Sequence, residues 1–123
     1  MSSRLMLIPC CHFNRQGEIG LRACYALKAK YPRMFLIATP PTIGASPLLL
    51  ASFGIEPDRH IAVNGCGLKC VDKLLDRECK EVPAKSVVLF DKPDLDQRSA
   101  LAVTDEDVAL AVARLEEALD LRH

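Results

Sequence analysis

Four short apolar runs, separated by segments of helical period, constrain this chain more than any other feature. Residues 4–9 read Arg-Leu-Met-Leu-Ile-Pro, 34–38 Met-Phe-Leu-Ile-Ala, 60–64 His-Ile-Ala-Val-Asn and 86–90 Ser-Val-Val-Leu-Phe. Each run is continuous rather than alternating, which is the pattern of a strand buried on both faces. Between the first two, Gly20, Cys24, Leu27 and Tyr31 recur on one helical face within and just beyond residues 17–30, and Pro32 ends that helix. After the third run, Leu68, Val71, Leu74 and Leu75 form a second apolar stripe. Thr104 is placed to cap a last helix with Asp107 in a capping box, and Val108, Val112, Leu115 and Leu119 share its apolar face. Residues 39–44, with two prolines, read as a rigid loop. Ser46 and Pro47 read as the cap and first position of a short helix through residues 48–53, and the polar residues 91–99 as a surface loop.

Strands that alternate with helices and are apolar throughout predict a parallel sheet covered on both faces. The expected architecture is a three-layer α/β sandwich with a mainly parallel four-stranded sheet, Rossmann-like or flavodoxin-like, joined by right-handed crossovers. The 123 residues suit a single α/β domain over residues 1–123, with a C-terminal helix within residues 100–122 packing on it. Sixteen basic and sixteen acidic side chains leave no net charge, which argues against nucleic acid as a partner. No apolar run approaches the ~20 residues needed to cross a bilayer, so no membrane partner is expected. The first nine residues carry one basic side chain and an apolar run too short for a signal peptide, which points to the cytoplasm. A homodimer is the base-rate expectation for assembly.

Six cysteines are the unusual part of the composition. They make up about 5% of the chain, below the ~8–10% of small disulfide scaffolds. In a reducing compartment such cysteines serve metal or redox chemistry more often than crosslinking. Cys10 and Cys11 follow the first strand, Cys66 follows the third, and Cys70 comes four residues later. Parallel strands end on the same edge, and ligands of such sheets bind beyond their carboxyl ends. Cys10, Cys66 and Cys70 are therefore expected to meet, with Cys66 and Cys70 on one helix face. A helix N-terminus flanked by Lys69 and Lys73 favours thiolates, the form that ligates metal. Cys11 or His12 would complete a tetrahedral zinc site. Cys24 and Cys79 read as structural, and His60, at the start of a strand, as a surface or edge residue.

Other readings of the same residues stay open. Cys66 as a low-pKa nucleophile, with Cys10 or Cys70 resolving, would make a thiol-based redox or transfer enzyme. Gly65-Cys66-Gly67, between a strand and a helix, would make a nucleotide-binding module, although cysteine replaces the third glycine of that turn. A phosphatase-like loop is excluded, because Gln16 and Gly17 stand six residues after Cys10 and Cys11 where an arginine is needed.

Asn64-Gly-Cys-Gly-Leu-Lys-Cys70 resembles the Asp-Gly-Cys-Pro-Leu-x-Cys signature of the DGC-domain family of proposed zinc-binding proteins. Pro9-Cys10 followed by Asn14 and Gly17 is similar to that family's N-terminal motif, and Ile43-Gly-Ala fits the intervening layout. The resemblance covers roughly residues 5–92. It implies a small cytoplasmic α/β domain that binds zinc, with no established reaction, and matches Cys10, Cys66 and Cys70 to family cysteines. Asn64 stands where the signature has aspartate, and Leu36-Ile-Ala-Thr39 where the family often has another cysteine. The fourth ligand is then Cys11, or His12, or an open position as in catalytic zinc sites. Delivery of metal, sensing of metal and Lewis-acid chemistry all remain compatible with such a site.

Overall fold

A computed structural model describes residues 4–10, 15–46, 48, 52–65, 68–90 and 101–121 of the chain. Four parallel strands, β1 (Leu5–Pro9), β2 (Phe35–Ile37), β3 (His60–Asn64) and β4 (Lys85–Val88), form one sheet in the order β2-β1-β3-β4. On β1, Leu5 to Leu7 pair with Phe35 to Ile37, and Met6 to Pro9 with His60 to Val63. On the other side of β3, Ile61 to Asn64 pair with Lys85 to Val88. The α-helices with defined bounds among the described residues are α1 (Arg15–Lys30), α2 (Pro40–Ala45), α3 (Cys70–Leu74), which runs on as a π turn over Leu75–Cys79, and α4 (Asp105–Ala118).

Alternation along the strands sorts the core into two layers. Leu7, Ile61, Val63 and Val87 face Ile19, Ala23, Cys24 and Leu27 of α1 and Ala111 and Leu115 of α4. Met6, Ile8 and Ala62 face the other way, onto Ile43 of α2, Val71 of α3 and Leu75. Helices thus cover both faces, as the continuous apolar strands require. The connection from β1 to β2 and the two from β2 to β3 to β4 travel in opposite directions across the sheet. Right-handed crossovers moving in opposite directions must lie on opposite faces, which is why α1 is separated from α2 and α3.

The last helix is fastened to α1 by polar contacts at both ends. Arg15, at the start of α1, donates to Asp107 at 2.6 Å, while Lys30 and Tyr31 donate to Glu116 at 2.8 and 2.6 Å. The capping box is present: the Asp107 N–H donates to the Thr104 hydroxyl, and the Thr104 N–H to the Asp107 carboxylate.

Two expectations change in the structure. Part of the loop expected at residues 39–44 is helical, because Pro40 and Pro41 occupy the first turn of α2. Backbone N–H groups there have no intrahelical acceptor, so proline loses nothing by lacking one. The fourth strand begins at Lys85 and ends at Val88, although Leu89 and Phe90 still donate to the Asn64 and Gly65 carbonyls at 2.9 and 3.1 Å. The expected helix over residues 48–53 falls partly on residues outside the described ones, as does the loop over 91–99.

Loss of the cap in Thr104→Ala should cost about 1 kcal/mol in chemical denaturation. The Thr104 backbone N–H, then its hydroxyl and Arg15, hold the Asp107 carboxyl below its ordinary 3.8, against the opposing effect of burial. A lowered carboxyl stabilises the fold above its unfolded value and loses that effect as pH falls through the folded value. Asp107→Asn should therefore lower the unfolding midpoint at neutral pH and show a shallower fall below pH 3.8 than the parent.

Candidate functional site

Cys10 is the first residue beyond β1 and keeps its place in the sheet, its N–H donating to the Val63 carbonyl at 2.8 Å. It continues the Met6–Ile8 side of the strand and is buried in the same cluster as Val71. Val71 directly follows Cys70, which is exposed and is the first residue of α3. Cys10 and the start of the helix that carries Cys70 therefore occupy one face of the sheet, at the carboxyl ends of the neighbouring strands β1 and β3. The chain order reverses between these two strands, and ligands of open α/β sheets bind at such a switch point.

The opposite side of the same edge is closely packed. A Cβ on Gly65 would lie 3.4 Å from the Gln16 backbone, so the residue after β3 packs against the first turn of α1. Arg15 and Arg114 flank the Phe90 ring, their guanidinium carbons 6.0 and 5.5 Å from its centre. Arg114 also donates to the Leu89 carbonyl.

The beginning of α3 differs from its expected form. Lys69 precedes the helix in the left-handed conformation, with φ 52°, and provides no side-chain cap. Cys70 is thus at the start of the helix and not one turn inside it. The missing cap comes from the sheet. Asn64, buried at the end of β3, accepts the Val71 N–H through Oδ1 at 3.1 Å. Its Nδ2 donates to Asp72 at 2.6 Å and to the Ser86 hydroxyl at 3.1 Å, and that hydroxyl donates to Asp72 at 2.9 Å. Position 64, where the signature has a carboxylate, holds an amide facing the carboxylate of residue 72.

The other end of β3 carries a residue whose role the sequence did not indicate. His60 is buried rather than at the surface, its Nε2 donating to the Ile55 carbonyl at 3.0 Å and its Nδ1 3.1 and 3.2 Å from the Glu81 carboxylate oxygens. A polar residue opening an apolar run, with an acid just beyond the next helix, was the available signal.

Among the expected ligands, the structure describes Cys10 and Cys70; Cys11, His12 and Cys66 lie outside the described residues. Among the described residues, no group of three His, Cys, Asp or Glu side chains is placed to hold a metal ion. Cys24 is fully buried between α1 and the sheet, as a packing residue. Cys79 is half-buried, and burial, then the charges of Glu81 and Glu78, push its thiol above the ordinary 9.0. No helix among the described residues is long and apolar enough to cross a membrane.

A parallel sheet with helices on both faces, bearing cysteines beyond its carboxyl edge, defines the class. The chain belongs to the DGC domain family, whose pattern it matches over residues 6–115. The match continues beyond residue 92, where the sequence resemblance stops, and includes most of α4. A comparison with curated proteins gave no match.

Two predictions follow from these placements. Alkylation in the presence of a metal chelator at mildly alkaline pH, followed by peptide mass spectrometry, should modify the exposed Cys70 well before Cys79 and leave Cys24 unmodified; early labelling of Cys24 would contradict its packing role. Glu81→Ala should cost about 1–3 kcal/mol in denaturant unfolding, because it leaves the buried His60 Nδ1 without its partner.

Proposed function

We propose that this DGC-domain protein binds a metal ion, zinc, at the carboxyl edge of its sheet. The observation that carries the reading is the common placement of Cys10 and the Cys70-bearing start of α3, on one face beyond adjacent strands. Thiolates are soft donors suited to zinc, and Cys10 and Cys70 would take two of its four tetrahedral positions. Cys66 would supply a third, with Cys11 or His12 as the fourth or with that position left open. A bound ion would supply Lewis acidity at an open position, or be held for transfer to another site. A reducing, cytoplasmic compartment, where thiols stay available as ligands, belongs to the same reading.

Within this reading the protein's own residues have distinct tasks. Cys10 is anchored by its backbone in the sheet, so one ligand is rigidly placed. Cys70 stands at a helix start whose first turn is tied to β3 through Asn64. Burial of Cys10 under the second hydrophobic cluster limits water on that side.

The test is the metal content of protein purified without chelator. One zinc per chain is expected, with Cys10→Ser, Cys66→Ser and Cys70→Ser each greatly reducing it. Full zinc content in a folded Cys66→Ser variant would overturn the proposed ligand set. A folded, reduced parent that takes up no added zinc would overturn the function itself.

A further inference from the structure

Asn64 engages its whole side-chain amide at once. Both Nδ2 hydrogens are donated, to Asp72 and Ser86, and Oδ1 accepts the Val71 N–H. An ionised carboxylate only accepts, so Asp72 determines which way the amide faces. The donor held by Oδ1 belongs to the second residue of α3, a group that an N-cap side chain normally satisfies. Lys69, at the cap position, cannot do this, because an ammonium group has no acceptor. The helix is capped from the end of the neighbouring strand instead, at a residue that follows Val63, the residue whose carbonyl holds the Cys10 N–H.

We infer that Asn64 is a positioning residue: it clamps the first turn of α3 to the end of β3 and so sets where Cys70 stands relative to Cys10, and Asp72 requires an amide at position 64. As a contribution to metal binding, this rests on the function proposed above; as a clamp on the helix, it does not. An aspartate at residue 64 would set two carboxylates against each other across a 2.6 Å contact. Like charges so close repel strongly, and the contact would open. Reversing the pair, Asn64→Asp with Asp72→Asn, restores every hydrogen bond: the strand then carries the acceptor, the helix carries the amide, and both the Val71 N–H and the Ser86 hydroxyl keep acceptors.

The test compares the parent, each single variant and the double exchange. Zinc affinity is read by competition with a chelator, and the metal-free proteins are compared by hydrogen exchange at the Val71 amide. Asn64→Asp should weaken zinc binding roughly ten- to hundredfold and speed Val71 exchange, while the double exchange should return both to within about twofold of the parent. A folded Asn64→Asp protein with the parent's zinc affinity would overturn the positioning role. A double exchange no better than Asn64→Asp would overturn the coupling to Asp72. If Asn64→Asp does not fold, recovery of folding and zinc binding in the double exchange supports the inference, and their failure overturns it. A parent without zinc affinity would remove the proposed function while leaving the clamp to the exchange measurement, where unchanged Val71 protection in Asn64→Asp would overturn it.

Discussion

The attachment of α3 to β3 underlies the arrangement of the described part of the carboxyl edge. β3 is the strand between β1 and β4, and all five of its residues are buried. Its two ends are polar: His60 reaches Glu81 beyond the π turn, and Asn64 reaches Val71 and Asp72 in the first turn of α3. Buried polar groups are costly unless they are hydrogen-bonded, so each end of the strand demands a partner, and the segment that supplies both partners is held at both ends. Val71 and Leu75 fill the apolar space between them.

With α3 held in this way, the pairing of β1 with β3 determines what lies beside it. Pro9 is opposite Val63, so Cys10 follows at the level of Asn64 and shares its face of the sheet. A slip of one residue would move Met6, Ile8 and Cys10 to the α1 side and place Leu7 under α3. The size and shape of the two hydrophobic layers, and not the cysteines, oppose that slip. The placement of Cys10 beside the start of α3 is thus a consequence of core packing.

The strand runs and the long helices are legible in the sequence because their signals are local. The period of α1, the Thr104–Asp107 box and the four apolar runs each depend on residues within a few turns of one another. The start of α3 is not legible in this way. Lys69 has no capping side chain, and the acceptor that replaces it, Asn64, lies across a turn on a different element. Helical spacing between Cys66 and Cys70 consequently misplaces the helix start. His60 misleads for the same reason: its burial depends on Glu81, 21 residues away. At residues 39–44 the error is local, since paired prolines suit the first turn of a helix as well as a loop.

The sequence by itself determined the α/β class, the parallel sheet and the place of Cys10 just beyond the carboxyl end of β1, because apolar runs, helical period and the shared direction of parallel strands require no knowledge of distant contacts. Tertiary structure alone decided the strand order, which helix lies on which face, where α3 begins and what residue 64 does there. Those outcomes depend on pairing, on the hand of the crossovers and on buried hydrogen bonds between elements. Such bonds form only once the sheet has brought their partners together.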